Sequence, residues 1–337
     1  MFFAELGARV VKIENKTTGG DMTRGWKGPK EDAQSPVSAY WCSVNWGKQI
    51  VMADLNDPAD KRRALDLALE ADVVISNFKP SSARRLGLDA ATLCRANPRL
   101  IYAQLNAFSD PEDERPAFDI VLQAEAGFLY MNGEPGRSPI KMPVALIDLL
   151  AAHQLKEAIL IALLQRERTG KGCMVSTSLM ECALASLANQ ATNWLMAGQI
   201  PQAMGPLHPN IAPYGDAFLC ADHKLLVLAV GTERQFKQLC SCLGLDHLPE
   251  RPEFHTNADR VQHRKALSDA LGEAFARHNS NDLLKQLQAK GVPAAEIRNM
   301  REVFEMPEAR AMILEETLPD GTLTRRVRTN AFNIRSF

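Results

Sequence analysis

Residues 72–76, Asp72-Val73-Val74-Ile75-Ser76, form a short β-branched run that predicts a buried strand. Similar runs occur at residues 9–14, 49–52 and 100–103. Between the later runs, residues 58–71 and 81–96 carry apolar side chains at helical spacing. Strands that alternate with helices in this way predict a parallel, doubly wound sheet, so the fold class is α/β.

The pattern changes after residue 143. Residues 149–168 and 178–197 each predict a long helix rich in Ala and Leu. Residues 198–214 are rich in proline and turn residues, which indicates a crossing into a smaller α+β domain. We predict a large domain over residues 1–197, to which residues 300–337 return, and a small domain over 198–299.

The small domain has its own expected elements. Residues 218–230 predict a hairpin that turns at Ala221-Asp222-His223. Three helices are expected next, at residues 234–243, 259–278 and 281–290, and residues 322–328 return to a strand pattern.

Composition excludes several function classes. The 337 residues hold 39 Lys and Arg against 40 Asp and Glu, a net charge of −1 that argues against a nucleic-acid partner. No apolar run is long enough for a membrane span, and residues 1–6 lack the pattern of a signal peptide. The seven cysteines form no CxxC pair or zinc-like cluster. We therefore expect a cytoplasmic protein without a metal site.

Common catalytic and nucleotide-binding motifs are missing. No GxGxxG follows a predicted strand, and neither GxSxG nor HExxH occurs. The stretch Thr169-Gly170-Lys171-Gly172 lacks the spacing of a phosphate loop and instead predicts the end of a helix and a turn.

Seven further stretches keep one order and spacing along nearly the whole chain. They are Gly7-Ala8-Arg9-Val10-Val11-Lys12-Ile13-Glu14, Gly20-Asp21-Met22-Thr23-Arg24-Gly25-Trp26, Asp54-Leu55-Asn56-Asp57-Pro58, Ala71-Asp72-Val73-Val74-Ile75-Ser76-Asn77-Phe78, Asn97-Pro98-Arg99-Leu100-Ile101-Tyr102, Arg166-Glu167-Arg168-Thr169-Gly170-Lys171-Gly172 and His208-Pro209-Asn210-Ile211-Ala212-Pro213-Tyr214. With these stretches in this order and at this spacing, the chain resembles the class III CoA-transferases. Family members begin with a strand ahead of the first of these stretches, and the resemblance implies that this strand is missing here.

The resemblance implies a fold and an activity. It implies a Rossmann-like large domain, a small domain and two interlocked chains in a homodimer. It also implies transfer of coenzyme A from an acyl-CoA to a carboxylic acid, which could be a dicarboxylate. Coenzyme A would then be part of the substrate, with no permanently bound cofactor.

The family's nucleophilic aspartate corresponds to Asp148, directly before the predicted long helix. By resemblance, its carboxylate attacks the thioester to give a mixed anhydride, and the returning CoA thiolate then forms an aspartyl-CoA thioester. Such a covalent path divides one difficult transfer into easier steps. The alternative is that Asp148 is only the helix N-cap, a position that Asp favours. A helix N-terminus would in either case favour its ionised form.

Other site residues also follow from the resemblance. Asp119 corresponds to an acidic residue of the acyl pocket, although it could equally be a first-turn residue of the next helix. Phe118 precedes it where the related α-methylacyl-CoA racemases have a histidine, and phenylalanine cannot transfer a proton. Gly205, His208 and Asn210 lie in a loop that resembles the family's mobile substrate cover, with Gly205 as its hinge.

The residues expected to bind coenzyme A form a larger set, in which the arginines have a physical reason to contact phosphates. They are Arg24, Asp54, Leu55, Asn56, Asn77, Phe78, Lys79, Arg85, Pro116 and Ala117. Two alternatives to a transferase stay open at this point. One is a racemase or isomerase of the same fold, and the other is a CoA-binding protein without activity.

Overall fold

The structure is a computed structural model, and it describes residues 1–110, 112–113 and 115–335. The described chain is a mixed α/β protein. Its strands are β1 Val10–Asn15, β2 Lys48–Ala53, β3 Val73–Ser76, β4 Ile101–Asn106, β5 Met174–Ser178, β6 Tyr214–Leu219, β7 Leu225–Ala229, β8 Ala294–Glu296, β9 Ile313–Thr317 and β10 Leu323–Val327.

The α-helices alternate with these strands and are linked in places by short 3-10 helices. The α-helices are α1 Phe2–Glu5, α2 Ala39–Asn45, α3 Pro58–Glu70, α4 Pro80–Leu86, α5 Ala90–Ala96, α6 Asp119–Glu125, α7 Phe128–Met131, α8 Leu146–Thr169, α9 Leu179–Ala185, α10 Ala188–Ala197, α11 Glu233–Cys242, α12 Asn257–Gln262, α13 Arg264–Phe275, α14 Ser280–Ala289, α15 Met300–Glu305 and α16 Pro307–Arg310. The 3-10 helices are Lys16–Thr18, Met22–Gly25, Leu248–Glu250 and Pro252–Phe254.

One compact unit contains residues 1–126, 142–188 and the chain from residue 304 onward. Its strands β1 to β5 are parallel, as the alternating pattern predicts. They form two sheets, β1-β2 and β3-β4-β5, instead of the one continuous sheet expected from the sequence. Strands β9 and β10 add an antiparallel pair.

The core of this unit lies between the helices and strand β4. Leu93, Leu100 and Tyr102 are almost fully buried and join α5 to β4. Ile159 and Leu155 of α8 pack on Ala103 of the same strand. Helix α8 is thereby fixed against the middle of the three-stranded parallel sheet, and its first turn is held with it.

The end of α8 is also explained by local chemistry. Gly170 is the C-cap with a φ of 72°, a left-handed conformation that glycine adopts without steric cost. A Cβ on Gly172 would lie 1.9 Å from the carbonyl oxygen of Leu100, so β5 can approach β4 this closely only with glycine there. The stretch at residues 169–172 is therefore a helix end and a turn, as predicted.

Three predicted helices are each two helices in the structure. The helix expected at residues 81–96 is broken at Gly87, whose φ is 70°, and Asp89 caps the next helix by accepting the Thr92 N–H. The helix expected at 178–197 ends at Ala185 and restarts at Ala188. The one expected at 259–278 is interrupted at His263.

The second compact unit contains residues 127–141 and 189–303. Strands β6, β7 and β8 form an antiparallel sheet, and the predicted hairpin is confirmed. Helices α11, α13 and α14 bury their apolar faces in one cluster with the sheet, including Phe236, Leu271 and Phe275. Arg260 is also buried there, where it pairs with Glu233 and donates to the carbonyl of Ala212. The predicted domain boundaries stay a prediction.

Candidate active site

Asp148 lies in the first turn of α8. The helix begins at Leu146 and its N-cap is Ala145, so Asp148 is the third helical residue and not the N-cap. The interpretation of Asp148 as a cap is therefore wrong. Asp148 is an exposed residue. Its neighbour Ile147 is fully buried and anchors the turn. The carboxylate of Asp148 is thus presented on a fixed backbone.

The cap of α8 comes from another helix. Asp119, the first residue of α6, accepts the backbone N–H of Ile147 at 2.6 Å and lies 3.4 Å from that of Asp148, both through Oδ1. Its Oδ2 accepts a hydrogen bond from the fully buried Gln123. Gln123 in turn accepts the backbone N–H of Met142 at 3.0 Å. Asp119 is thus both a first-turn residue of α6 and a capping group for α8.

The two carboxylates interact electrostatically. Burial of the Asp148 carboxyl raises its pKa, although the residue is partly open to solvent, and the negative charge of Asp119 raises it further. The sequence led us to expect that the helix N-terminus would favour the ionised form, but these two effects outweigh it. Asp148 is therefore a better proton acceptor, and a more basic nucleophile once ionised, than an ordinary aspartate.

Two aromatic residues that pack on each other were not identified as site residues from the sequence. Tyr40 of α2 has its pKa raised by burial and then by the charges of Asp148 and Asp119. The ring of Trp26 packs edge-on against that of Tyr40, with centroids 5.0 Å apart. Trp26 lies within one of the quoted stretches, but nothing in the sequence links Tyr40 to residue 148.

Phe118 lies at the entrance to α6, directly before Asp119. It is the N-cap residue of that helix, and 56% of its surface is exposed. Pro116 and Ala117 lead into it without regular structure. Residues 116–119, which were predicted to form part of the site, therefore lie at the start of α6. Asp119 among them also caps the start of α8.

Most of the predicted CoA-binding residues follow two parallel strands. Residues 54–56 come directly after β2, and residues 77–79 come directly after β3. Arg85, an exposed residue of α4, donates to Asn56 Oδ1 at 3.2 Å and so connects the two groups. The carbonyl of Phe78 accepts a hydrogen bond from Gln104 at 3.1 Å. Strand ends of this kind are the usual ligand-binding edge of parallel sheets.

Arg24 has a different environment from Arg85. Its Nε donates to Glu14 at 2.7 Å, and its guanidinium lies 4.3 Å from the ring centroid of Trp41. Glu14 is only 3% exposed and also accepts the indole N–H of Trp41. The structure therefore gives Arg24 an internal ion pair, whereas Arg85 keeps an exposed side chain.

Gly205, His208 and Asn210 belong to the second compact unit. Gly205 has a φ of 62°, which favours glycine, and its N–H donates to the carbonyl of Gly133 at 2.7 Å. A Cβ there would lie 2.9 Å from the carboxylate of Glu134, whose side chain would have to shift. His208 accepts the N–H of Asn210 at 3.1 Å. The carbonyl of His208 accepts from Arg264. Within this unit the three predicted residues lie on one connected loop.

Among residues 1–110, 112–113 and 115–335, no three His, Cys, Asp or Glu side chains are arranged to hold a metal ion. Within the same residues, no helix has both the length and the apolar character needed to cross a bilayer.

Comparison with known proteins gives consistent matches. The model of a family described as CoA-transferase family III matches residues 1–336. The succinate–glutarate CoA-transferase of Agrobacterium fabrum is 35% identical over 333 residues, which cover 97% of this chain and 82% of that protein. The acetyl-CoA:oxalate CoA-transferase of Acetobacter aceti is 34% identical over 316 residues, covering 92% and 79% respectively.

A solved structure agrees with these sequence matches. A CAIB/BAIF family protein from Brucella suis superposes on this chain with a TM-score of 0.83 and 36% sequence identity. The superposition covers 98% of this chain and 86% of that one.

Proposed function

This chain belongs to CoA-transferase family III and is an enzyme of the CoA-transferase class, and we propose that it transfers coenzyme A through the side chain of Asp148. The donor is an acyl-CoA and the acceptor is a carboxylic acid. The observation that carries the proposal is the position of Asp148: a partly exposed aspartate on the first turn of a helix that packs on the parallel sheet, in a chain that matches the family over residues 1–336.

The proposed reaction balances without any further reagent. The Asp148 carboxylate attacks the thioester carbonyl, the C–S bond breaks, and a mixed anhydride and CoA thiolate result. The thiolate attacks the aspartyl carbonyl, which releases the donor acid and leaves an aspartyl-CoA thioester. The acceptor carboxylate then attacks this thioester and displaces the thiolate. Attack of the thiolate on the acceptor's acyl carbon gives the new acyl-CoA and regenerates Asp148.

We propose dicarboxylic acids as the acceptors. The proposal is supported by the names of the relatives, which act on succinate with glutarate and on acetyl-CoA with oxalate. Phe118, Gly205, His208 and Asn210 are the proposed residues of the acyl pocket. Asp119, which the resemblance also assigns to that pocket, has its side chain engaged by α8 and Gln123 instead. Phe118 in place of a proton-transferring histidine favours a transferase over a racemase of the same fold.

The proposed CoA site consists of residues 54–56 after β2, residues 77–79 after β3, and Pro116 and Ala117, which lead into α6. The proposed organisation is a Rossmann-like large domain over residues 1–197, to which residues 300–337 return, and a small domain over residues 198–299. No permanently bound cofactor and a cytoplasmic location complete the proposal. Arg85 supports the CoA site, because an exposed guanidinium beside two strand ends suits a phosphate.

We also propose a homodimer, because α8 carries large exposed apolar residues on the side away from the sheet. Its sheet side packs through Leu155 and Ile159. On the other side, Ile161 and Leu164 are more than half exposed. Exposed apolar side chains of this size favour an interface, and a second copy of the chain supplies that cover.

Exchange of coenzyme A tests the proposed reaction. The purified protein is given succinyl-CoA or acetyl-CoA as donor and glutarate or oxalate as acceptor, and the new CoA ester is measured by chromatography. Asp148→Asn keeps the size of the side chain but removes the nucleophile. We expect its kcat to fall at least about 1,000-fold.

The matched control is Glu157→Gln, which removes a carboxylate from an exposed position on the same helix. It should keep full activity. If Asp148→Asn retained activity within about tenfold of wild type, Asp148 would not be the nucleophile. If no pair in the panel exchanged while CoA still bound, the chain would be a CoA-binding protein without this activity.

A further inference from the structure

The side chain of Asp119 is largely used by the protein itself. Oδ1 accepts the N–H of Ile147 at 2.6 Å and faces that of Asp148 at 3.4 Å, while Oδ2 accepts from Gln123. A carboxylate has about four acceptor positions, so most of its capacity is directed inward. Little of it is left for a substrate.

Two residues that donate hydrogen bonds to Asp119 are buried. Gln123 and Ile147 are both fully buried, and Gln123 also accepts the N–H of Met142 at 3.0 Å. Asp119 and Gln123 therefore fasten two points of the chain, residue 142 and the first turn of α8. Ala145, the N-cap of α8, has no side chain that can accept a hydrogen bond. The backbone N–H groups of Ile147 and Asp148 therefore depend on Asp119 for an acceptor.

We propose that Asp119 is a positioning residue for Asp148: it caps the first turn of α8 and so fixes the backbone of the nucleophile, and its negative charge acts on the carboxyl of Asp148. This role rests on the proposed function of Asp148. It differs from the acyl-pocket role implied by the family resemblance, because Asp119 acts through Asp148 and not on the substrate.

Asp148 interacts electrostatically with titratable groups on two other helices. Asp119 of α6 raises the pKa of Asp148, and the charges of Asp148 and Asp119 contribute to raising the pKa of Tyr40 of α2. Removing the charge of Asp119 removes a like-charge repulsion, so the pKa of Asp148 falls. The acid limb of the activity profile must then move to lower pH.

Two variants separate the charge of Asp119 from its bonds to α8. Asp119→Asn removes the charge and keeps an amide oxygen for the two N–H groups of α8. Its NH2 group faces the NH2 donor of Gln123, so the Gln123 amide must turn and give up its bond from Met142. We expect kcat near that of wild type, an unchanged KM for the acyl-CoA, and an acid limb of kcat/KM shifted to lower pH. Asp119→Ala removes the bonds as well, and a displaced nucleophile should lower kcat about 100-fold with KM still unchanged.

Glu125→Gln is the control, since it removes a carboxylate from the last residue of the same helix. Its pH profile should match wild type. A higher KM for Asp119→Asn with an unmoved acid limb would show that Asp119 contacts substrate and would overturn the positioning role. Asp148→Asn is assayed in parallel as a separate test of the proposed function. Activity in that variant rejects Asp148 as the nucleophile. An inactive Asp148→Asn together with an unmoved acid limb in Asp119→Asn rejects only the role of Asp119.

Discussion

At the scale of single residues, two arginines with the same predicted role have different environments. Arg24 is paired with the buried Glu14, and Arg85 is exposed beside Asn56. Both were expected to bind coenzyme A. A guanidinium that compensates a buried carboxylate contributes to folding, whereas an exposed one is available for a phosphate.

The variants Arg24→Met and Arg85→Met should therefore behave differently. Arg24→Met leaves the buried Glu14 without its closest cation, and we expect the free energy of unfolding to fall by about 3 kcal/mol. Arg85→Met should change stability by less than about 0.5 kcal/mol but raise the KM for acyl-CoA about tenfold. Urea unfolding and steady-state kinetics measure both effects. A normal unfolding midpoint with a raised KM in Arg24→Met would contradict this assignment.

The same ion pair gives stability a dependence on pH. Burial works against the charge of Glu14, but bonds from Arg24, the Asp21 backbone and Trp41 outweigh it and lower its pKa from 4.5. The stabilisation by Glu14 is therefore present above pH 4.5 and is lost as pH falls through the lower folded-state pKa. Arg24→Met should weaken this acid dependence, and urea midpoints measured at a series of pH values would detect the change.

At the scale of elements, the periodic patterns predicted which segments are helices and strands, but not where three of the helices break. Gly87 and the capping residue Asp89 are visible in the sequence and could have divided the helix at 81–96. The break before Ala188 carries no such marker in the sequence. Ala188 has a φ of 48°, a conformation that alanine seldom adopts and that its sequence therefore does not predict. The cap from Asp119 to α8 joins residues 28 or more positions apart, so local patterns could not predict it.

The two glycines after α8 allow a test at this scale. Gly172→Ala would place a Cβ against the backbone of Leu100, and the strands must move apart. We expect a loss of about 3 kcal/mol in the free energy of unfolding. Gly170→Ala meets no neighbouring atom and should cost only about 1 kcal/mol, the strain of its positive φ. Equal losses in urea unfolding would show that β4 and β5 do not approach this closely.

At the scale of the whole molecule, the parallel α/β class followed from the alternation of strand and helix patterns. The division into a two-stranded and a three-stranded sheet did not, because pairing between strands far apart in sequence leaves no local pattern. Residues 54–56 and 77–79 follow the predicted strand runs at 49–52 and 72–76, and in the structure they come directly after β2 and β3.

The proposed dimer makes a prediction for the assembled molecule. Light scattering at micromolar concentration should give the mass of two chains. Leu164→Glu places a charge on the exposed side of α8 that carries Ile161 and Leu164 and should shift the protein toward single chains. Glu70→Gln, a change of an exposed carboxylate on α3, should not. A wild-type protein with the mass of one chain would contradict the proposed dimer.

Covalent attachment of coenzyme A is the most direct test of Asp148 as the nucleophile. Intact-mass measurement after brief incubation with succinyl-CoA should show one added CoA, less one water, on wild type and on Glu157→Gln. Hydroxylamine should remove it, peptide mapping should place it on Asp148, and Asp148→Asn should carry none. An adduct on Asp148→Asn, or one mapped to another residue, would contradict the proposed mechanism.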